Sequence, residues 1–480
     1  MKNERHMKKA RAAVFAVGHS NYWPQFPQLK NILLGLHKEF CNRISEYGVE
    51  VIDYGILDES TRAFDVAKKI FVDVDIVFCN MVTYATSSVF APIIRAKSAP
   101  VILVALQPMQ VLDYNSASTY MQLQNDNICS VPEFIGVASR FNQKIDDVIL
   151  GCLYNDKKAE AELYEWCSIA KVIRSIRGAR IGLMGHVLEA MYDMHTDPTT
   201  ISATFGLHVP LLEIDSLLEI RNNVSESEIR KKAKEITEKF DTPNPANDPI
   251  TSKLTEKDLY NAAKSAVALE KFVEQNDLTG LAYYYEGIHG SPTRLLAETL
   301  IVGNSLLIAE GIPMCGEFDI KTCLAMLIMD RLGIGGSFAE LHPFDFSDDC
   351  ILIGHDGPHH IDIADGKPIL RSLSKYHGKP GSGASVEFKI KEGPITMLGI
   401  TQKSDGKFKF VIGEGMSKRG PVPPTGNTNT RASFEPDTKA FVKRWVMEGP
   451  THHYALGIGH YAKTIKKIAD VFNIESVIVN

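Results

Sequence analysis

Four short segments in the last third of the chain hold side chains able to do chemistry together. They are Cys315-Gly316-Glu317-Phe318-Asp319, Gly335-Gly336-Ser337-Phe338-Ala339-Glu340, Ile353-Gly354-His355 and Pro450-Thr451-His452-His453. Two carboxylates and at least two imidazoles, each at the edge of an apolar run, suit one divalent ion with open positions. An ion held in this way can grip adjacent oxygens of a substrate while the carboxylates move protons. Carboxylate and imidazole ligands without thiolate fit Mn2+, or another divalent ion such as Co2+ or Mg2+, better than structural zinc. Cys315 and Cys350 stand nearby and read as packing residues; a thiolate ligand would move the site towards zinc.

Taken singly, each residue has a plainer reading. Glu317 precedes a helix, where a carboxylate favours the helix dipole. Glu340 follows a glycine pair and Phe338, as a solvated strand end does. His355 fits a hydrogen-bonded core histidine, and His452-His453 a polar loop. The separations are 23 residues from Glu317 to Glu340, 15 more to His355 and 98 more to His453. They match no local zinc motif, so only the fold can bring the four together.

The elements that must position them form two textures. Short β-branched runs at 13–17, 49–56, 75–80 and 100–106 alternate with helical stretches near 28–47, 61–72 and 86–97. This rhythm predicts a parallel sheet covered on both faces. The polar stretch 155–177 reads as a helix-rich connector. A second α/β unit begins at 180–184 and continues through a strand at 209–214, charged helices at 216–239 and 256–275, and a strand at 278–285. Helices at 293–309 and 319–332 follow, the latter bearing Asp319 and Lys321 in its first turn. After Gly333, strand-like pieces at 350–353, 384–390, 396–401 and 407–412 are separated by Gly, Pro and Asp turns, which predicts a small antiparallel barrel or sandwich. The loop 418–434 is rich in Pro, Gly and Asn, a composition usual in functional or disordered loops. Helices near 436–447 and 460–472 close the chain.

With 480 residues the chain exceeds one hydrophobic core, and its textures divide it into domains at 1–175, 176–332 and 333–480. A net charge of -6 gives no electrostatic reason to expect nucleic acid or an anionic membrane as partner. The eight cysteines form no C-x-x-C pair and lie mostly in apolar runs, as reduced core thiols of a cytoplasmic protein do. The basic start and the apolar run 12–18 imitate a signal peptide, but about seven apolar residues sit at the lower limit for one, and a first β-strand is the better reading. No later run reaches the length of a membrane span.

At the four segments the chain resembles the L-arabinose isomerase family, within the wider L-fucose/L-arabinose isomerase group. The likeness is strongest from about 262 to 370. Residues 263–286, Gly316-Glu317-Phe318-Asp319-Ile320-Lys321-Thr322, the segment ending at Glu340, the segment ending at His355 and the pair His452-His453 follow the family pattern in order. The resemblance implies two Rossmann-like α/β/α domains followed by a C-terminal antiparallel β-barrel domain with helices. It implies Glu317, Glu340, His355 and His453 as metal ligands, with His452 the alternative, and Glu317 and Glu340 as the catalytic pair. It also implies a homohexamer whose neighbouring subunits complete one another's sites.

Departures bear on the substrate. The family's Gln-x-Leu-Tyr-Gly type segment corresponds to His19-Ser20-Asn21-Tyr22-Trp23-Pro24-Gln25, a family histidine to Asn127 and a pocket phenylalanine to Tyr285. The loop ending at Arg431 also differs. Trp23, Gln25, Asn127, Met184, Tyr285 and Arg431 are therefore candidate sugar contacts, and each also reads as an ordinary core or loop residue. The expected activity is metal-dependent isomerisation of a pentose, of the L-arabinose to L-ribulose type, through an enediol. Alternatives are isomerisation of a 6-deoxyhexose or branched pentose at the same site, a non-catalytic sugar-binding protein, and a metal-dependent hydrolase, for which no motif speaks.

Overall fold

The computed structural model describes residues 9–244, 246, 254–372, 383–423 and 428–479. They fall into two compact units, 7–175 and 176–480. The first holds a five-stranded parallel sheet built from β1 (Arg11–Val17), β2 (Glu50–Leu57), β3 (Ile76–Met81), β4 (Val101–Gln107) and β5 (Asp147–Cys152), in the order β2-β1-β3-β4-β5. β3 and β4 are apolar without alternation because helices cover both faces and nearly every side chain is buried. The helix-rich connector expected at 155–177 is one continuous helix, Lys157–Arg177, with a buried stripe of its own. Its Trp166, Cys167, Ile169, Ala170, Val172, Ile173 and Ile176 are buried, and the Trp166 indole donates to Asp147 at 2.8 Å. The charged residues between those positions hid an amphipathic stripe.

The second unit contains two sheets. β6 (Ile181–Met184), β7 (Leu211–Leu212), β8 (Gly280–Tyr283) and β9 (Met314–Cys315) form a parallel sheet in the order β7-β6-β8-β9. The charged stretch 216–239 is two helices, Ile214–Asn222 and Glu226–Lys239. Ser225 and Glu228 form a reciprocal capping box that starts the second afresh.

The remaining strands are β10 (Gly335–Asp345), β11 (Cys350–His355), β12 (Ile369–Ser372), β13 (Ala384–Glu387), β14 (Gly393–Gln402), β15 (Phe408–Lys418), β16 (Thr428–Ser433), β17 (Tyr454–Ile458) and β18 (Glu475–Val479). β14, β17, β10, β11, β16 and β15 pair antiparallel in that order, and β15 pairs back with β14. They close a six-stranded antiparallel barrel, to which β18 adds a parallel strand outside β15. β12 and β13 form a separate pair. Of the loop 418–434, residues 424–427, including Gly426 and Asn427, lie outside the described residues.

The helix Ile320–Arg331 joins the two textures. Every residue from Ile320 to Asp330 is buried, and it packs against β6, β8 and β9 on one side and β10, β14 and β17 on the other. A helix apolar on nearly all faces belongs in such a place. Close backbone approach explains two glycines. A Cβ on Gly336, whose φ is 111°, would stand 2.8 Å from the Met326 carbonyl, and one on Gly354 would stand 1.8 Å from the Thr428 carbonyl. Gly354→Ala must therefore push β11 off β16 next to His355. It is expected to cost at least about 1–3 kcal/mol in a urea unfolding experiment. Among the described residues, no helix is long and apolar enough to cross a membrane.

Candidate metal centre

Glu317 is presented by a strained turn. Glu317 and Phe318 both have left-handed backbones, with φ of 60° and 62°. Such conformations cost about 1–3 kcal/mol each and persist where neighbours over-determine them. Here the Phe318 N–H donates to the Tyr283 carbonyl at 2.9 Å, and the Asp319 N–H donates to the Gly316 carbonyl at 3.2 Å. The turn ends on Asp319, the N-cap of Ile320–Arg331, whose carboxylate accepts from the Thr322 N–H at 3.1 Å and its hydroxyl at 2.7 Å. Glu317 is thus carried, 8% exposed, to the mouth of the helix.

The histidines arrive from barrel strands. His355 ends β11 and the fully buried His453 immediately precedes β17. Glu317 Oε2 lies 3.2 Å from His453 Nε2, and Oε1 lies 4.0 Å from His355 Nε2. Phe338 of β10 fills the space beside both imidazoles, its ring centroid 4.5 Å from His355 and 4.3 Å from His453. Ligand atoms of Glu317, His355 and His453 all lie within 4.8 Å of one another, and so do those of Glu340, His452 and His453. Of the four expected ligands, Glu317, His355 and His453 thus form one triad, and Glu340 joins His453 and the alternative, His452, in the other.

The charges are arranged by burial and by partners. Burial, followed by the nearby His453, His359, His342 and His452, holds the His355 imidazole well below its usual range, so it is neutral. Burial raises the Glu340 carboxyl against the favourable His453 and is joined by Asp356 and Glu317. Burial would also raise Asp319, but its hydrogen bond with His453 and the charge of Lys321 outweigh this and bring it to about 2. Asp319 is therefore an anion 3.2 Å from His453 Nδ1, which donates to it and leaves Nε2 turned towards Glu317. Lys321, itself buried, donates to the Met194 carbonyl at 2.9 Å.

His452 is differently engaged. Asp193 Oδ2 accepts from its backbone N–H at 3.0 Å and is 2.6 Å from Nδ1. Burial opposes the charge, yet the hydrogen bond with Asp193 and the nearby Glu317 carboxylate push the His452 imidazole up to about 10. A group raised above its unfolded value stabilises most when both states would hold the proton. In metal-free protein this contribution is present in full below about 6.5 and is lost as pH rises towards 10. Asp193→Asn should flatten much of that slope and lower the His452 titration, leaving the contribution of Glu317, as read by imidazole NMR.

The donor set fits a divalent ion. Bonds of about 2.1 Å place neighbouring ligand atoms about 3 Å apart and opposite ones about 4.2 Å apart. The 3.2 Å and 4.0 Å separations around Glu317 sit close to both values. Glu317 Oε2 and His453 Nε2 are buried and make no hydrogen bond, a costly state that a cation would relieve.

Other candidates lie in varied surroundings. Tyr285 follows β8, and burial, then the charges of Glu317, Glu286 and Asp356, keep its hydroxyl protonated. Met184 is fully buried at the end of β6, with its carbonyl accepting from the Tyr284 N–H at 2.9 Å. Arg431 on β16 is ion-paired with Asp345 at 3.3 Å and with Asp348, at the strand end remote from His355. Trp23, Gln25 and Asn127 belong to the unit 7–175. There the Trp23 indole donates to Asp58 at 2.8 Å, Gln25 is exposed, and the Asn127 amide ties the Met81 and Leu106 carbonyls at 2.6 and 3.2 Å. Sequence reading missed Asp193, for which nothing marks the chain. It also missed the partnership of Asp319 with His453, although an aspartate three positions before Thr322 signals a cap.

Residues 189–335 match the family model described as the L-arabinose isomerase central domain. Residues 353–479 match that described as the L-fucose isomerase C-terminal domain. Proteins named L-arabinose isomerase from Klebsiella pneumoniae (strain 342) and Pectobacterium atrosepticum are each 21% identical, over 72% of this chain and 69% of their own. One of the same name from Bacillus subtilis (strain 168) is 21% identical over 69% of this chain and 66% of its own.

Proposed function

Because this chain is a divergent member of the L-arabinose isomerase family, and so an aldose–ketose isomerase, we propose that Glu317, Glu340, His355 and His453 hold a divalent ion at which a pentose is isomerised. The observation that supports the reading is the approach of Glu317, His355 and His453 to within 4.8 Å of one another, with Glu340 joining His453 and His452 in a second triad. Bound there, Mn2+ or a similar ion such as Co2+ or Mg2+ supplies Lewis-acid polarisation of a carbonyl and a template for two adjacent sugar oxygens.

The chain's own groups move the protons. One of Glu317 and Glu340 takes the proton from the carbon beside the carbonyl and returns it to the neighbouring carbon, giving an enediol between the two transfers. The other exchanges the hydroxyl proton between the two oxygens, so that the net change is aldose to ketose. Burial makes Glu340 a stronger base than a solvated carboxylate. Asp319 fixes the His453 ring, and the charged His452 keeps a donor beside Glu317. Trp23, Gln25, Asn127, Met184, Tyr285 and Arg431 remain the proposed sugar contacts. Arg431 would have to leave Asp345 and Asp348 to serve as one.

Conversion of the L-arabinose to L-ribulose type is the first reading; Asn127 and Tyr285 keep a 6-deoxyhexose or a branched pentose as the second. Protein stripped with a chelator should lose turnover and regain it with Mn2+ or Co2+. A panel of pentoses and 6-deoxyhexoses, scored by ketose yield, identifies the substrate. Sugar binding indifferent to chelator and without product would instead mean a binding protein. We further propose three domains, 1–175, 176–332 and 333–480, a cytoplasmic location and a homohexamer. The end of the central-domain match at residue 335 supports the second boundary.

A further inference from the structure

We propose that His37, Cys41 and Asp53 form a second cation site, which takes Zn2+ or an ion of similar borderline character. The site lies in the unit 7–175 and shares no residue with the Glu317 centre, so the two stand or fall separately. His37 and Cys41 are one turn apart on the helix Leu29–Glu46, both buried on the face that meets the sheet. Asp53 comes from β2, an edge strand, and its side chain is 47% exposed. Their ligand atoms all lie within 4.8 Å of one another.

The separations suit a tetrahedral ion. Zinc bonds of about 2.0 Å to nitrogen and 2.3 Å to sulfur put those two atoms about 3.5 Å apart. Cys41 Sγ is 3.7 Å from His37 Nε2. Asp53 Oδ1 is 2.8 Å from the same nitrogen and needs to swing outward by roughly half an ångström to admit the ion. Its half-exposed position leaves room for that movement. Behind the ring, the buried Asn80 amide stands 3.2 Å from His37 Nδ1 and can serve either tautomer, the outer-shell support that metal-binding histidines use.

Three protein ligands leave a fourth position for water on the Asp53 side. Thiolate with imidazole selects against Mg2+ and Ca2+, which prefer oxygen. Burial, then the Asp53 charge, pushes the Cys41 thiol up to about 12, so it carries its proton until an ion arrives. As the sulfur–metal bond forms, that proton passes to solvent. The ion would then tie the helix Leu29–Glu46 to the edge strand β2.

The test uses the full chain with thiols kept reduced by a phosphine, stripped by chelator and titrated with Co2+. A near-ultraviolet thiolate-to-cobalt charge-transfer band should appear and be displaced by Zn2+. The Glu317 centre proposed above has no thiolate ligand and cannot produce it. Cys41→Ser should lose the band and weaken Zn2+ binding at this site at least about 10-fold, while isomerase turnover stays unchanged. Asp53→Asn, at an exposed carboxylate, should weaken Zn2+ binding comparably and guards against a misfolded serine variant. A wild-type protein without the band, a band undiminished in folded Cys41→Ser, or unaltered Zn2+ affinity in Asp53→Asn would overturn the proposal.

Discussion

Glu317→Gln and Glu340→Gln are each expected to lower kcat for ketose formation by about 10²–10⁴-fold, the scale of general acid–base help. The barrier would rise by about 3–5 kcal/mol. The two should differ in character. Glu317 faces two imidazoles at 3.2 and 4.0 Å, so its loss should weaken metal binding as well as turnover. Glu340 lies in the second triad with its carboxyl raised by burial, so its loss should fall mainly on kcat. Circular dichroism of both variants should match the parent. Normal turnover in either purified protein would remove the assignment.

Asp319→Asn should raise the dissociation constant for the metal by about 10–100-fold without touching a ligand. Its carboxylate orders the His453 ring from the far side, at Nδ1, and an amide there no longer stabilises the imidazole's proton with a full charge. Asparagine caps helices as well as aspartate does, so Ile320–Arg331 should keep its start and the barrel its packing. Calorimetric titration of stripped protein checks this. An unchanged affinity would mean that Phe338 packing alone orients His453.

The alternating first part was legible because apolar runs such as β3 and β4 stand between polar, helix-favouring stretches. β5 escaped because Asp147 and Gly151 interrupt its short run. The helix Lys157–Arg177 was legible as a helix, but its charge masked the buried spacing of Trp166, Ile169, Ala170 and Ile173. In the barrel, β16 was missed for a different reason: Thr-Asn-Thr-Arg-Ala-Ser has little hydrophobicity, and its burial comes from neighbours on both sides. The proposed metal ligands were recognisable by type and order, but their meeting was not, since no local period links the turn at Glu317, β10, the end of β11 and the residue before β17. The Asp193–His452 pair depends wholly on tertiary contact between positions far apart in the chain.

β17 lies between β14 and β10, both made earlier by the ribosome. Without it, those two strands have unpaired backbone edges, and Glu317 has no His453 beside it. A chain that stops before His453 is therefore expected to lack both the closed barrel and a proposed ligand. Cleavage or arrest ahead of β17 is thus expected to favour edge-to-edge association of the open strands.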